Sequence, residues 1–127
     1  MASIHTLFGN HYGRGNAIVP LDAPPHGPRS EYFPQLAAAG KAGGSLFLGQ
    51  HNHPGWQAFD SMQPNPVSTS DTQLGKEMGG LKFGKPHPAS LDEIVAIKAA
   101  PVHAAAYLRT AGLDGIQRHG AHGYLLA

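Results

Sequence analysis

Apolar residues first recur with a regular period at Phe33, Leu36, Ala37 and Gly40, the i, i+3, i+4, i+7 spacing of one helix stripe. The stripe predicts a helix over 30–42, with Ser30 as N-cap, Pro34 close enough to the start to be tolerated, and Gly43-Gly44 closing the run. Ser45-Leu46-Phe47-Leu48-Gly49-Gln50 follows at once, a short apolar run of the kind expected of a strand covered on both faces. Much later, Ser90-Leu91-Asp92-Glu93 is a capping box: the Ser hydroxyl accepts from the amide of the third helical residue and the Glu reaches back. Ile94, Ile97, Ala104 and Leu108 continue one face of this second helix, and Ala111-Gly112 closes it. Pro101 falls on the same stripe, where it removes a backbone bond and crowds the carbonyl of Ile97 at a cost of about 3 kcal/mol. A kink or break near Ala100 is therefore expected. Residues 113–119 read as a second strand, with Ile116 and Arg118 on one side and Gln117 and His119 on the other.

Helix, strand, helix, strand predicts an α/β fold with parallel strands, and in such folds chemistry gathers at the carboxyl ends of the strands. The intervening stretches show neither period. Residues 1–29, with their Pro24-Pro25 and Gly27-Pro28 breaks, read as extended loop, Ala17-Ile18-Val19 being at most an edge segment. Residues 54–90 contain five prolines and form a long irregular loop, too long to be idle in a compact domain unless it is functional or disordered. No internal repeat is visible.

Composition narrows the function class. Charged residues make up 13% of the 127 and the formal net charge is +1, which excludes the electrostatic footprint of a nucleic-acid or anionic-membrane binder. Lys76, Lys82 and Lys85 are the one basic grouping and read as solvated loop charges. Leu, Ile, Val and Phe supply about a fifth of the chain, so the core is thin. There is no cysteine, no apolar run of membrane-spanning length and no leader-like start, which together point to a cytoplasmic protein.

Two polar clusters fall at the predicted strand ends: Gln50-His51-Asn52-His53 and His119-Gly120-Ala121-His122-Gly123-Tyr124. Two imidazoles at i and i+3 with a phenol two residues on suit three chemistries: hydrogen-bonding an oxygen that gains charge, binding a metal, or moving a proton. Ordinary loop histidines are the bland alternative. His5, His11, His26, His87 and His103 have no partner at useful spacing and read as surface or helix-end residues, while Trp56 reads as packing or a loop anchor.

The segment Ala111-Gly112-Leu113-Asp114-Gly115-Ile116-Gln117-Arg118-His119-Gly120-Ala121-His122-Gly123-Tyr124-Leu125-Leu126 resembles the fourth-strand signature of the Old yellow enzyme family, the FMN-dependent NAD(P)H:flavin oxidoreductases. Gly49-Gln50-His51-Asn52-His53-Pro54-Gly55-Trp56 is similar to that family's third-strand motif. Ser90–Ile94 and His103-Ala104-Ala105 fit its helix before strand four, and residues 16–24 resemble its fungal members.

The resemblance implies a partial TIM (β/α)8 barrel, with 1–127 covering roughly the end of strand two through strand four. It implies FMN as cofactor, NAD(P)H as reductant and an activated alkene as small-molecule substrate. By position, Gln50 would hydrogen-bond the pyrimidine side of the flavin, His119 and His122 would hold the substrate's carbonyl or nitro oxygen, and Tyr124 would be the proton donor. Pro101 and Arg118 depart from the family pattern, both standing where it has apolar residues. Arg118 is then expected to turn to solvent or leave its side uncovered. Barrel phosphate sites are frequently built after strands seven and eight, so the chain is expected to be a truncated, inactive piece with exposed strand edges open to self-association. Two other functions fit parts of the pattern: a non-catalytic remnant without cofactor, and a metal-dependent barrel hydrolase using His51, His53, His119 and His122.

Overall fold

The computed structural model describes residues 2–5, 17–18, 24, 26–75, 77 and 79–127. His11, Lys76 and most of the 16–24 resemblance lie outside the described residues. Among these, the elements run β1 (Ala2–His5), β2 (Ala17–Ile18), α1 (Pro28–Lys41), β3 (Leu48–Asn52), β4 (Val67–Ser68), β5 (His87–Pro88), α2 (Leu91–Thr110) and β6 (Gly115–Arg118). One sheet has the order β2-β1-β3-β6 with every neighbour parallel, the expected α/β arrangement of a partial barrel. No helix among the described residues is long and apolar enough to cross a membrane.

Helix α1 begins two residues earlier than the sequence pattern indicates. Gly27 is the N-cap and Pro28 opens the helix, a position where the missing proline N–H costs nothing. Ser30 lies inside the first turn and donates from Oγ to the Gly27 carbonyl at 2.7 Å. Of the predicted stripe, Phe33 and Ala37 are buried, whereas Leu36 is 46% exposed. Gly40 explains itself by packing: a Cβ there would sit 2.6 Å from the Phe47 ring.

The first predicted strand moves by three residues. Pairing starts at Leu48, and Leu46 stands 79% exposed, so the apolar run is not covered on both faces. Asp114 sets this start. Its carboxylate accepts from Phe47 N–H at 2.8 Å and from Lys41 Nζ at 2.9 Å, while its own N–H donates to the Phe47 carbonyl at 3.0 Å. Those bonds, led by the one from Phe47, hold the Asp114 carboxyl below its ordinary range.

Residues 1–29 are not all loop, since Ala2–His5 forms β1 beside β3; Ala17–Ile18 takes the edge position expected of it. Within 54–90, β4 and β5 pair in parallel, and Phe59 bridges and stacks on Phe83 with ring centroids 5.1 Å apart. His87 belongs to this framework, with Nε2 2.8 Å from Glu93 Oε1 and Nδ1 3.1 Å from Asn65 Oδ1, which ties the long loop to the start of α2.

The capping box of α2 is present in full: Ser90 Oγ accepts from Glu93 N–H, and Glu93 Oε2 accepts from Ser90 N–H at 2.9 Å. The Ser90 amide first, and His87 next, hold the Glu93 carboxyl down to about 2. Pro101 produces no break, and α2 runs continuously from Leu91 to Thr110. The ring is buried rather than turned to water, so packing offsets the missing bond. His103 is a half-buried mid-helix residue, not a surface one.

The core lies where both helices end: Phe33 and Ala37 of α1 meet Ala104, Leu108, Ala111 and Leu113, with Phe47 and Tyr107 packed against them. Leu108 is fully buried, so Leu108→Ala should lower unfolding free energy by about 2–5 kcal/mol, checked by urea denaturation. Glu93 and Asp114 both have depressed folded pKa values, so their stabilisation is present above the unfolded carboxylate range. It is lost as pH falls through the folded values. Thermal midpoints should therefore drop on acidification below about pH 4.5, and less steeply in Glu93→Gln, which removes the group held down to about 2.

Candidate active site

The β3–β6 register decides which side chains share a face. Gln50 is level with Gln117, and His51 with Arg118. Gln50 Nε2 donates to Gln117 Oε1 at 2.8 Å, which places both amides on one face. The ladder runs one residue past β6, with His119 N–H donating to the His51 carbonyl at 2.8 Å. By alternation His119 shares the Gln50–Gln117 face.

Beyond His119 the chain turns back on itself. The ring centroids of His119 and His122 are 5.0 Å apart, those of His119 and Tyr124 5.0 Å, and those of His122 and Tyr124 6.2 Å. The three groups singled out in the sequence thus converge at the carboxyl end of β6, one strand over from Gln50. Nδ1 of His119 is buried with no hydrogen-bond partner among the described residues, a polar atom whose burial is costly until something bonds it. Such a cluster offers two imidazoles and a phenol to one small oxygen-bearing group. Gln50 adds an amide able to both donate and accept, which matches the alternating donors and acceptors of a heterocycle edge.

His51 belongs to the opposite face. It is 3% exposed and shares a small cavity with Ile97, Pro101 and Arg118, on the side that α2 covers. Arg118 itself is exposed, as expected of a guanidinium on that face. Burial first, and the Arg118 charge second, hold the His51 imidazole below its ordinary value. His53 is buried at the end of β3, and its Nδ1 accepts from Gly55 N–H at 3.1 Å, leaving its proton on Nε2. The four-histidine metal reading therefore fails on geometry: His51 and His119 sit on opposite faces, and no group of three or more potential ligands forms among the described residues.

Sequence reasoning missed two sets of residues. Ser68, Thr69 and Ser70 of the long loop join Trp56, Tyr124 and Leu125 around a cavity of about 150 Å³. Their only sequence signal was a polar run in an unassigned loop. Gln57 was the other. Its Nε2 donates to the His122 carbonyl at 2.7 Å, next to Trp56 Nε1 donating to the Gly123 carbonyl at 2.7 Å.

Parallel strands with intervening helices, and polar side chains converging at the strands' carboxyl ends, fit a segment of a (β/α)8 barrel. Comparison with known proteins agrees. The chain is 45% identical over 118 residues to the NADH-dependent flavin oxidoreductase nadA of Aspergillus parasiticus, covering 92% of this chain and 27% of that protein. It is 40% identical over 86 residues to 12-oxophytodienoate reductase 1 of Oryza sativa subsp. japonica, covering 65% of this chain and 23% of that one. The solved structure of the old yellow enzyme homologue from Zymomonas mobilis superposes with a TM-score of 0.73 at 27% identity, over 96% of this chain and 35% of that one. No family model matches. The chain is similar over most of its length to proteins of the Old yellow enzyme family, and spans about a third or less of the length of those compared.

The lowered pKa of His51 carries a pH dependence. Between its folded value and 6.5 the unfolded chain binds more protons, so this contribution to stability is complete above about 6.5 and is lost as pH falls through the folded value. His51→Leu should flatten the fall of the thermal midpoint below pH 6.5, measured as the difference from the wild-type chain.

Proposed function

We propose that residues 1–127 form the strand-two to strand-four part of an FMN-binding NAD(P)H oxidoreductase domain that reduces activated alkenes. The convergence of His119, His122 and Tyr124 beside Gln50 is the observation that carries it. The names of the similar proteins, a flavin oxidoreductase using NADH and a 12-oxophytodienoate reductase, support the reaction class and an enone as substrate.

The residues fit the cofactor at one edge. Gln50 would hold the pyrimidine side of the flavin, its amide lying beside that of Gln117 on the face that His119 shares. FMN, if held there and reduced by NAD(P)H, would supply hydride to the β-carbon of the alkene. His119 and His122 bind the activating carbonyl or nitro oxygen, and as hydride arrives that oxygen gains charge which fixed N–H donors stabilise. Removing one such donor costs typically 10²–10³ in rate. Tyr124 gives its phenolic proton to the α-carbon, a role suited to a neutral acid whose ordinary pKa is about 10. The cavity of about 150 Å³ bounded by Trp56, Ser68 and Tyr124 leaves room for a small substrate's distal part.

Titration with FMN of a full-length relative carrying residues 1–127 in place of its own matching segment, followed by gel filtration and a visible spectrum, tests the cofactor assignment. Co-elution of oxidised flavin is expected, with affinity weakened roughly two- to tenfold by Gln50→Ala through the loss of one hydrogen-bonding group. A colourless protein eluting apart from FMN would sink the assignment. In that full-length graft, with 2-cyclohexen-1-one and NADPH, Tyr124→Phe should lower turnover by roughly 10²–10⁴ while leaving flavin uptake unchanged, because it removes only the proton donor.

A further inference from the structure

His122 and Gly123 are consecutive residues in the left-handed region, at φ 61° and 70°. For histidine that conformation is uncommon, because Cβ crowds the following carbonyl oxygen, so the surroundings must hold it there. Those two peptides are also the ones whose carbonyls are captured from outside. Gln57 Nε2 donates to His122 O at 2.7 Å, and Trp56 Nε1 donates to Gly123 O at 2.7 Å. Neither donor belongs to the β6 segment; both come from the turn after β3. Leu125 N–H returns to the His53 carbonyl at 3.1 Å, closing the other end of the same turn. The fit is tight on both sides. A Cβ on Gly123 would lie 3.2 Å from Gln57 Nε2, and one on Gly55 would lie 3.2 Å from the Leu125 backbone.

We propose that Gln57 and Trp56 are positioning residues: by holding the carbonyls of His122 and Gly123 in the left-handed turn, they fix the placement of the His122 imidazole and the Tyr124 phenol against His119. This rests on assigning those three rings to the substrate oxygen and the proton. Removing either clamp leaves the strands and both helices untouched and lets the 120–125 turn relax toward ordinary backbone angles, carrying His122 away from Tyr124. One hydrogen bond biases such a local equilibrium roughly two- to tenfold. A donor of a different shape at position 57 that still reaches the His122 carbonyl restores the turn.

Ring-to-ring nuclear Overhauser effects among His119, His122 and Tyr124 are measured in the full chain and in Gln57→Leu, Trp56→Phe and Gln57→Arg, with circular dichroism and a thermal midpoint for each. The wild-type chain shows the His119–Tyr124 and His122–Tyr124 effects. Both Gln57→Leu and Trp56→Phe weaken the His122–Tyr124 effect several-fold at unchanged helix content, and Gln57→Arg, which keeps N–H donors, retains it. If the effects persist undiminished in Gln57→Leu and Trp56→Phe, the clamp is refuted. Should Gln57→Leu not fold, Trp56→Phe, which keeps an aromatic ring and removes the indole N–H, decides the matter alone. Parallel FMN titration of a full-length relative carrying this segment separates the two assignments: absence of flavin uptake there refutes the oxidoreductase, whereas the ring-to-ring effects in the chain itself decide the clamp independently.

Discussion

The structure depends on the parallel register between β3 and β6, and Asp114 starts that register. One carboxylate ties together the end of α1 through Lys41 and the entry to β3 through the Phe47 amide, and its own N–H begins the ladder to the Phe47 carbonyl. Every later pairing is counted from there: Leu48 beside Gly115, Gln50 beside Gln117, His51 beside Arg118, and finally the His119 amide on the His51 carbonyl. Because side chains alternate in a strand, a slip of one residue would send His119 to the opposite face from Gln50. The chemistry at the carboxyl end of the sheet is thus set by an anchor at its amino end.

This division of labour follows from how a barrel unit is built. The helices pack their small core around Phe33, Ala104, Leu108 and Leu113 at the amino-terminal side of the strands, where burial is deepest and polar groups are few. The opposite end holds turns whose carbonyls and amides must find partners individually. Those partners come from across the strand pair: His53 to Leu125, Trp56 to Gly123, Gln57 to His122. Two loops that are far apart in sequence become one rigid unit by exchanging hydrogen bonds.

The elements with strong local signals were legible in the sequence. The Ser90–Glu93 box marks the α2 start because both of its bonds are local, and the order of helices and strands gave the parallel topology. The His119, His122 and Tyr124 group was found by its motif, and it does converge. What sequence could not supply was everything fixed by long-range contact. Leu46 has the hydrophobicity of a strand residue, but pairing starts at Leu48 because Asp114 captures the Phe47 amide. Pro101 looked like a breaker because its burial was invisible. The 54–90 segment looked featureless because its order comes from pairs such as Phe59 with Phe83 and His87 with Glu93, which have no period.

The nine histidines show why composition alone misleads about chemistry. His51 and His119 both sit at strand ends and both look like ligands or acids, yet register puts one against α2 beside Arg118 and the other on the Gln50 face. Burial first, and the Arg118 charge second, disfavour a proton on the His51 imidazole, which lies against α2. His53 is committed to the turn through Gly55. His87 is committed to the Glu93 cap. What remains on the open face is His119, with a buried nitrogen still lacking a partner, and His122, held in a conformation that histidine rarely adopts. A buried nitrogen without a partner and a strained backbone at one strand end are costs that folding alone does not require.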